Sequence, residues 1–139
     1  MFYLNLEVME KVCHRYAVAL FDTDNQPISP FSLHTRQLLD SALNTPRQTY
    51  SGKELYPTLI DKATILFYSL NKNHAFPNGN KRIATASLLI FLYINEHWIS
   101  ADPKSLAELA LEVANSKNMD SAIAQIKFWL SEKLIKYVK

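Results

Sequence analysis

Glycine and cysteine are almost missing from this 139-residue sequence, which holds two glycines, Gly52 and Gly79, and one cysteine, Cys13. Two glycines are too few for the many turns of a β-rich architecture, so the chain is expected to be helical. One cysteine forms no internal disulfide, and no Cys/His spacing of the zinc type occurs. Cys13 is therefore expected to be a small buried apolar side chain. No long apolar run exists: the longest, residues 83–94, falls short of the roughly 20 residues a bilayer requires, which excludes a spanning helix. A basic segment followed by an apolar stretch is missing from the N-terminus, so no secretory signal is expected and the cytoplasm is the expected compartment. Charge of one sign is not in excess either, with 15 Lys and Arg against 13 Asp and Glu. That balance argues against a nucleic-acid partner, which needs a basic footprint. The phosphate loop G-x-x-x-x-G-K-[ST], the nucleophile elbow G-x-S-x-G and the dinucleotide turn G-x-G-x-x-G are all absent.

What is present is a 48% hydrophobic chain suited to one compact domain over residues 1–139. Met9, Val12, Cys13, Tyr16 and Leu20 recur at helical spacing and predict a first helix over about residues 6–21, stopped by the turn-forming residues 22–27. Leu38, Leu39, Ala42 and Leu43 mark a short second helix closed by Thr45-Pro46. Leu59, Ala63, Leu66, Phe67 and Leu70 give the inner stripe of a third, with Asp61 and Lys62 expected to face outward. Ten of the twelve residues 83–94 are apolar with no polar face, the pattern of a central helix buried on all sides. Ser105 and Glu108 read as a capping box ahead of Leu106, Leu109, Ala110 and Val113. Ile123, Ile126, Leu130 and Leu134 predict a last helix. Residues 47–55 combine strand formers with a Ser-Gly turn and read as a small hairpin or flap. Trp98 and Trp129 are expected to be core or interface anchors, and Lys127, Lys133, Lys136 and Lys139 a solvated face. His14, His34 and His97 show no ligand spacing and are expected in surface or capping roles.

Chemistry concentrates in one segment, His74-Ala75-Phe76-Pro77-Asn78-Gly79-Asn80-Lys81-Arg82. A helix starting near Asn80 or Lys81 would present free backbone N–H groups to an anion, and Gly79 would allow a positive φ or a close backbone approach there. Arg82 can add a bidentate phosphate contact and Lys81 a point charge. His74 is the candidate general base. Phe76 is expected to anchor the loop in the core.

This segment resembles the Fic/Doc superfamily signature H-x-F-x-[DE]-G-N-[GK]-R. Leu38 to Pro46, followed by a short linker and a helix, is similar to the death-on-curing, Doc-like, branch. The resemblance implies an all-α Fic fold, a helical bundle around a central buried helix with a short β-hairpin flap. It also implies a transferase that uses ATP with magnesium and acts on a hydroxyl of a target protein, a translation component such as elongation factor Tu in the Doc-like case. Transfer of a phosphoryl group is the first reading, transfer of AMP the alternative, and a catalytically degenerate binding module the third. By position, His74 would activate the target hydroxyl, Gly79, Asn80, Lys81 and Arg82 would hold the nucleotide phosphates, and Gln48, Thr49 and Tyr50 would lie in the target-aligning flap. Lys81 replaces the glycine of the AMP-transferring motif and is Doc-like. Asn78 stands at the metal-carrying acidic position and offers magnesium only a neutral amide oxygen. No glutamate is followed by Gly or Asn, so the family's self-inhibitory helix motif is lacking. The resemblance instead implies a separate antitoxin encoded by a neighbouring gene.

Overall fold

The helical periodicity is realised in a computed structural model that describes residues 1–137. An N-terminal helix runs through α1 (Leu6–Val8), a π-helical stretch (Met9–His14) and α2 (Arg15–Phe21). It is followed by α3 (Arg36–Asn44), α4 (Leu59–Lys72), α5 (Asn80–Ile94), α6 (Pro103–Asn115) and α7 (Met119–Lys133). Two antiparallel ribbons complete the fold, β1 (Thr49–Tyr50) with β2 (Lys53–Glu54) and β3 (His97–Ile99) with β4 (Leu134–Lys136). The architecture is thus all-α with a small hairpin flap. No helix is long and apolar enough to cross a membrane among the described residues.

Helix α5 is central because it has almost no polar face: Ile83, Ala84, Ala86, Leu88, Leu89, Phe91 and Leu92 are all buried. The N-terminal helix, α4 and α6 pack around it, while α4 also meets α3 and α7. Only Tyr93 among residues 83–94 reaches solvent freely. Both ends of the described chain meet at the exit of α5. The Asn95 amide exchanges two hydrogen bonds with the Phe2 backbone, at 2.8 and 2.9 Å, and Tyr137 N–H donates to Glu96 O at 2.8 Å.

Several expectations are corrected. Lys62 does not face outward; it is 2% exposed, and its ammonium donates to Pro46 O (3.3 Å), Tyr56 O (2.5 Å) and Glu54 Oε1 (3.0 Å). A four-carbon stem lets a charge cross an apolar layer when acceptors wait on the far side. The π-helical stretch widens the first helix and rotates its inner face, so Met9, Cys13, His14 and Ala17 are buried whereas Val12 and Leu20 are exposed. His14 is accordingly a core residue, not a surface one. Ser105 does not open a capping box: α6 begins earlier, with Pro103 in its first turn and Asp102 Oδ1 accepting from Ser105 N–H at 2.8 Å. Leu134 lies in β4, beyond the end of α7. Trp98 and Trp129 pack on the core as expected. Lys127 pairs with Asp61 at 3.0 Å, and Lys139 lies outside the described residues.

Candidate functional site

Helix α4 ends at Asn73, whose amide donates to Leu38 O at 3.0 Å, and the next residue, His74, takes a left-handed φ of 50°. Glycine is the usual helix-ending residue in that conformation, so an imidazole there carries a modest backbone strain. Ala75 and Phe76 then turn inward. The Phe76 ring, 4% exposed, sits among His14, Phe31 and His34 with centroids 5.9, 5.9 and 6.2 Å away, which anchors the loop as expected. Asn80 closes the turn: its Oδ1 accepts from Phe76 N–H at 3.0 Å and its Nδ2 donates to Phe76 O at 2.7 Å. The Asn80 side chain is therefore committed to the loop, and only its backbone faces an anion. Gly79, at φ 87°, caps α5 without a side chain. The first-turn N–H groups, those of Asn80 and Lys81 among them, consequently have neither a helical nor a side-chain acceptor.

A strap from the N-terminal part of the chain braces this loop. Asn78 N–H donates to Ser29 Oγ at 2.7 Å, and Ser29 N–H reaches Asn78 O at 3.4 Å. His14 Nε2 lies 2.7 Å from Ser29 O, a contact that requires the proton on that nitrogen. Thr35 N–H donates to Ala75 O at 2.7 Å. Ile28 lies so close that a β-carbon at Gly79 would come within 3.0 Å of its Cγ2. Arg82 Nη1 donates to Phe21 O at 3.4 Å and to Gln26 O, which fixes the guanidinium across the strap and leaves its other N–H groups for a ligand.

These elements surround a cleft of about 720 Å³, on whose walls His74, Asn78, Gly79, Lys81 and Arg82 meet. No carboxylate lines it. Two cations and a helix N-terminus with free N–H groups make the cleft a place for a phosphate or another anion. The same chemistry suits magnesium poorly. Asn78 supplies a neutral oxygen, and no cluster of three His, Cys, Asp or Glu side chains able to hold a metal occurs among the described residues. Gln48, Thr49 and Tyr50 form the exposed flap as expected, Tyr50 being 75% exposed, but none of them lines the cleft. Lys62 joins the base of that flap to α4, the helix that delivers His74. Cys13 is remote from this chemistry in character: burial pushes its thiol up to about 12.

The sequence motif thus comes together in space, but the parts that hold it do not announce themselves. Gln26, Ile28 and Ser29 lie about 50 residues upstream of their partners. Asn71 also reaches the cleft, although it reads in the sequence as one more polar residue near a helix end.

Comparisons with known proteins agree with this picture. The sequence model of the Fic/DOC family matches residues 3–92. Toxin Doc of Mycolicibacterium smegmatis is 41% identical over 92 residues, covering 64% of this chain and 71% of that protein. No solved structure gives a match. With the matched residues running from the N-terminal helix through the strap, flap, motif loop and most of α5, the chain belongs to the Fic/DOC family.

Proposed function

We propose that this protein is a Doc-like toxin that transfers the terminal phosphoryl group of ATP to a hydroxyl side chain of a target protein, elongation factor Tu being the candidate. The observation that carries the reading is the single cleft in which an imidazole, a helix N-terminus, Lys81 and Arg82 face one space. The backbone N–H groups after Gly79 cradle phosphate oxygens, Lys81 and Arg82 neutralise charge, and His74 takes the proton of the attacking hydroxyl. The new bond runs from the target oxygen to the γ-phosphorus. The bond from that phosphorus to the β,γ-bridging oxygen breaks, and ADP leaves. Lys81 favours phosphoryl over AMP as the transferred group, because a lysine where AMP transferases have glycine crowds a diphosphate against the helix start. The cleft offers magnesium no carboxylate, so any ion accompanying ATP is held chiefly by the phosphates and no step is assigned to it. The flap around Gln48, Thr49 and Tyr50 would align the target segment as an added strand. The 41% identity to a protein named toxin Doc supports a partner antitoxin encoded nearby.

The test supplies ATP labelled separately at the α and γ positions to the purified chain with a bacterial lysate, alongside the His74→Ala variant. Label on protein from the γ position, lost in the variant, is expected. Label from the α position would overturn phosphoryl transfer in favour of AMP transfer. Labelling from neither would favour a binding module, the reading that the absence of a cleft carboxylate supports.

A further inference from the structure

One buried polar atom on the wall of the cleft has no partner. Asn71, 1% exposed and in the last turn of α4, donates through Nδ2 to Phe67 O at 2.8 Å, which fixes its amide plane. Its Oδ1 is buried and accepts from nothing. A buried acceptor shut off from water is costly, and such an orphan in a functional cleft calls for a donor. Three residues on, beyond the end of α4, His74 carries an exposed imidazole that makes no hydrogen bond, and the two residues line the same cleft.

General bases of the imidazole type work when a third group holds one ring nitrogen, because that bond fixes both the tautomer and the ring orientation. The other side-chain amides on the walls need no such donor: Asn80 Oδ1 is engaged with Phe76 N–H, and Asn25, Gln26 and Asn78 are exposed, so water satisfies their oxygens. Among the described residues two buried side-chain oxygens lack a partner, Thr64 Oγ1 and Asn71 Oδ1, and of these only Asn71 lines the cleft, which has no carboxylate on its walls. We infer that Asn71 is the positioning residue for His74. When nucleotide fills the cleft, the imidazole swings over the end of α4, its Nδ1–H donates to Asn71 Oδ1, and Nε2 is left unprotonated toward the target hydroxyl. The left-handed φ at His74 bends the chain at the position where this approach is needed. Hydrogen bonds of catalytic bases are commonly long in empty sites and tighten on loading. The inference rests on the reading of His74 as base.

Nitrogen NMR of the full chain, ¹⁵N-labelled at histidine and loaded with a non-hydrolysable ATP analogue, tests it. The wild type should show His74 mainly as the Nδ1–H tautomer. Asn71→Leu, nearly isosteric but without an acceptor, should lose that preference and lower turnover by roughly 10- to 100-fold with the KM for ATP unchanged. Its melting temperature should hold or rise, since the orphan oxygen is gone, so the loss cannot be ascribed to unfolding. Asn71→Asp retains an acceptor; it should keep the tautomer and move the acid limb of the turnover profile to higher pH, because a carboxylate favours the imidazolium. An unaltered tautomer ratio and pH profile in Asn71→Leu would overturn the proposal; should that variant not fold, an unshifted acid limb in Asn71→Asp does so. If His74→Ala keeps turnover, the base assignment fails, whereas the tautomer measurement still decides whether Asn71 orients the ring.

Discussion

Replacing Gly79 with alanine separates two demands that the motif loop makes of one residue. At φ 87° an L-residue loses about 1–2 kcal/mol, offset by the 0.4–1 kcal/mol or so that alanine gains by restricting the unfolded chain. The new β-carbon would also meet Ile28 at 3.0 Å (Cγ2), 3.2 Å (Cγ1) and 3.3 Å (Cα), and the last is backbone, which cannot rotate away. Overpacking of that kind costs about 1–3 kcal/mol, so the expected net loss lies between about 1 and about 4.6 kcal/mol, with a midpoint of about 3 kcal/mol. Gly52 supplies the control, because its φ of 78° is similar and nothing lies within 4 Å of its would-be β-carbon. Gly52→Ala should therefore lose only about 1 kcal/mol. Urea unfolding of both variants measures the difference, with equal slopes required for comparison. Adding Ile28→Ala to Gly79→Ala should recover part of the loss, a coupling of about 1 kcal/mol or more between atoms in contact. Equal losses at the two glycines, or additivity within about 0.5 kcal/mol in the double variant, would refute the steric account.

Phe76→Ala empties the middle of a four-ring cluster and should destabilise by about 3–5 kcal/mol in the same urea assay; a loss under about 1 kcal/mol would contradict its burial. Lys62→Met keeps the stem but leaves Pro46 O and Tyr56 O without a donor, so about 1–3 kcal/mol should be lost and amide exchange across residues 47–55 should quicken; unchanged exchange would show that the flap does not depend on this ammonium. Burial raises the Asp61 carboxyl, but Lys127 and the hydrogen bonds with Thr58, which caps the start of α4 in a reciprocal box with Asp61, outweigh it and hold the group below its ordinary value. The stabilisation is therefore present above about pH 4 and fades as pH falls through the lowered value, and Asp61→Asn should remove that pH dependence in thermal melts; a pH-independent difference from the wild type would be inconsistent with the pairing. Asn78→Asp puts a formal charge on the wall of the cleft and should tighten magnesium binding by calorimetry with the ATP analogue present; unaltered affinity would mean that residue 78 does not face the ion.

The helices and the motif were legible because both are local. Apolar spacing in α4 and α5, and nine contiguous residues with a left-handed glycine, need no distant partner to be read. The sequence misleads where one side chain answers to something far along the chain. Lys62 looks solvent-facing by periodicity, and only the carbonyls of Pro46 and Tyr56, brought over by the flap, make its burial tolerable. The π-helical stretch has no composition signature, so the stripe through Val12 and Leu20 reads as an inner face although both residues are exposed. The ribbon of β3 and β4 joins residues 97–99 to 134–136, with two helices intervening, and its three-residue strands are too short to alternate visibly. Ser29 and Asn71 carry the same lesson for the site. A serine in a proline-flanked loop and an asparagine near a helix end gain meaning only from what they touch.

The meeting of Phe2 and Tyr137 at Asn95 and Glu96 makes the path of the described backbone close to a closed circuit. A circuit has no privileged starting point. A short bridge from Tyr137 back to Phe2, with a new opening cut between Ser51 and Gly52 at the exposed tip of the flap, would reorder the sequence while sparing the strap, the motif loop and α5. In such a rearranged chain the flap would become two free arms, and the target alignment proposed for it would be severed from the nucleotide binding proposed for the cleft within one otherwise intact molecule.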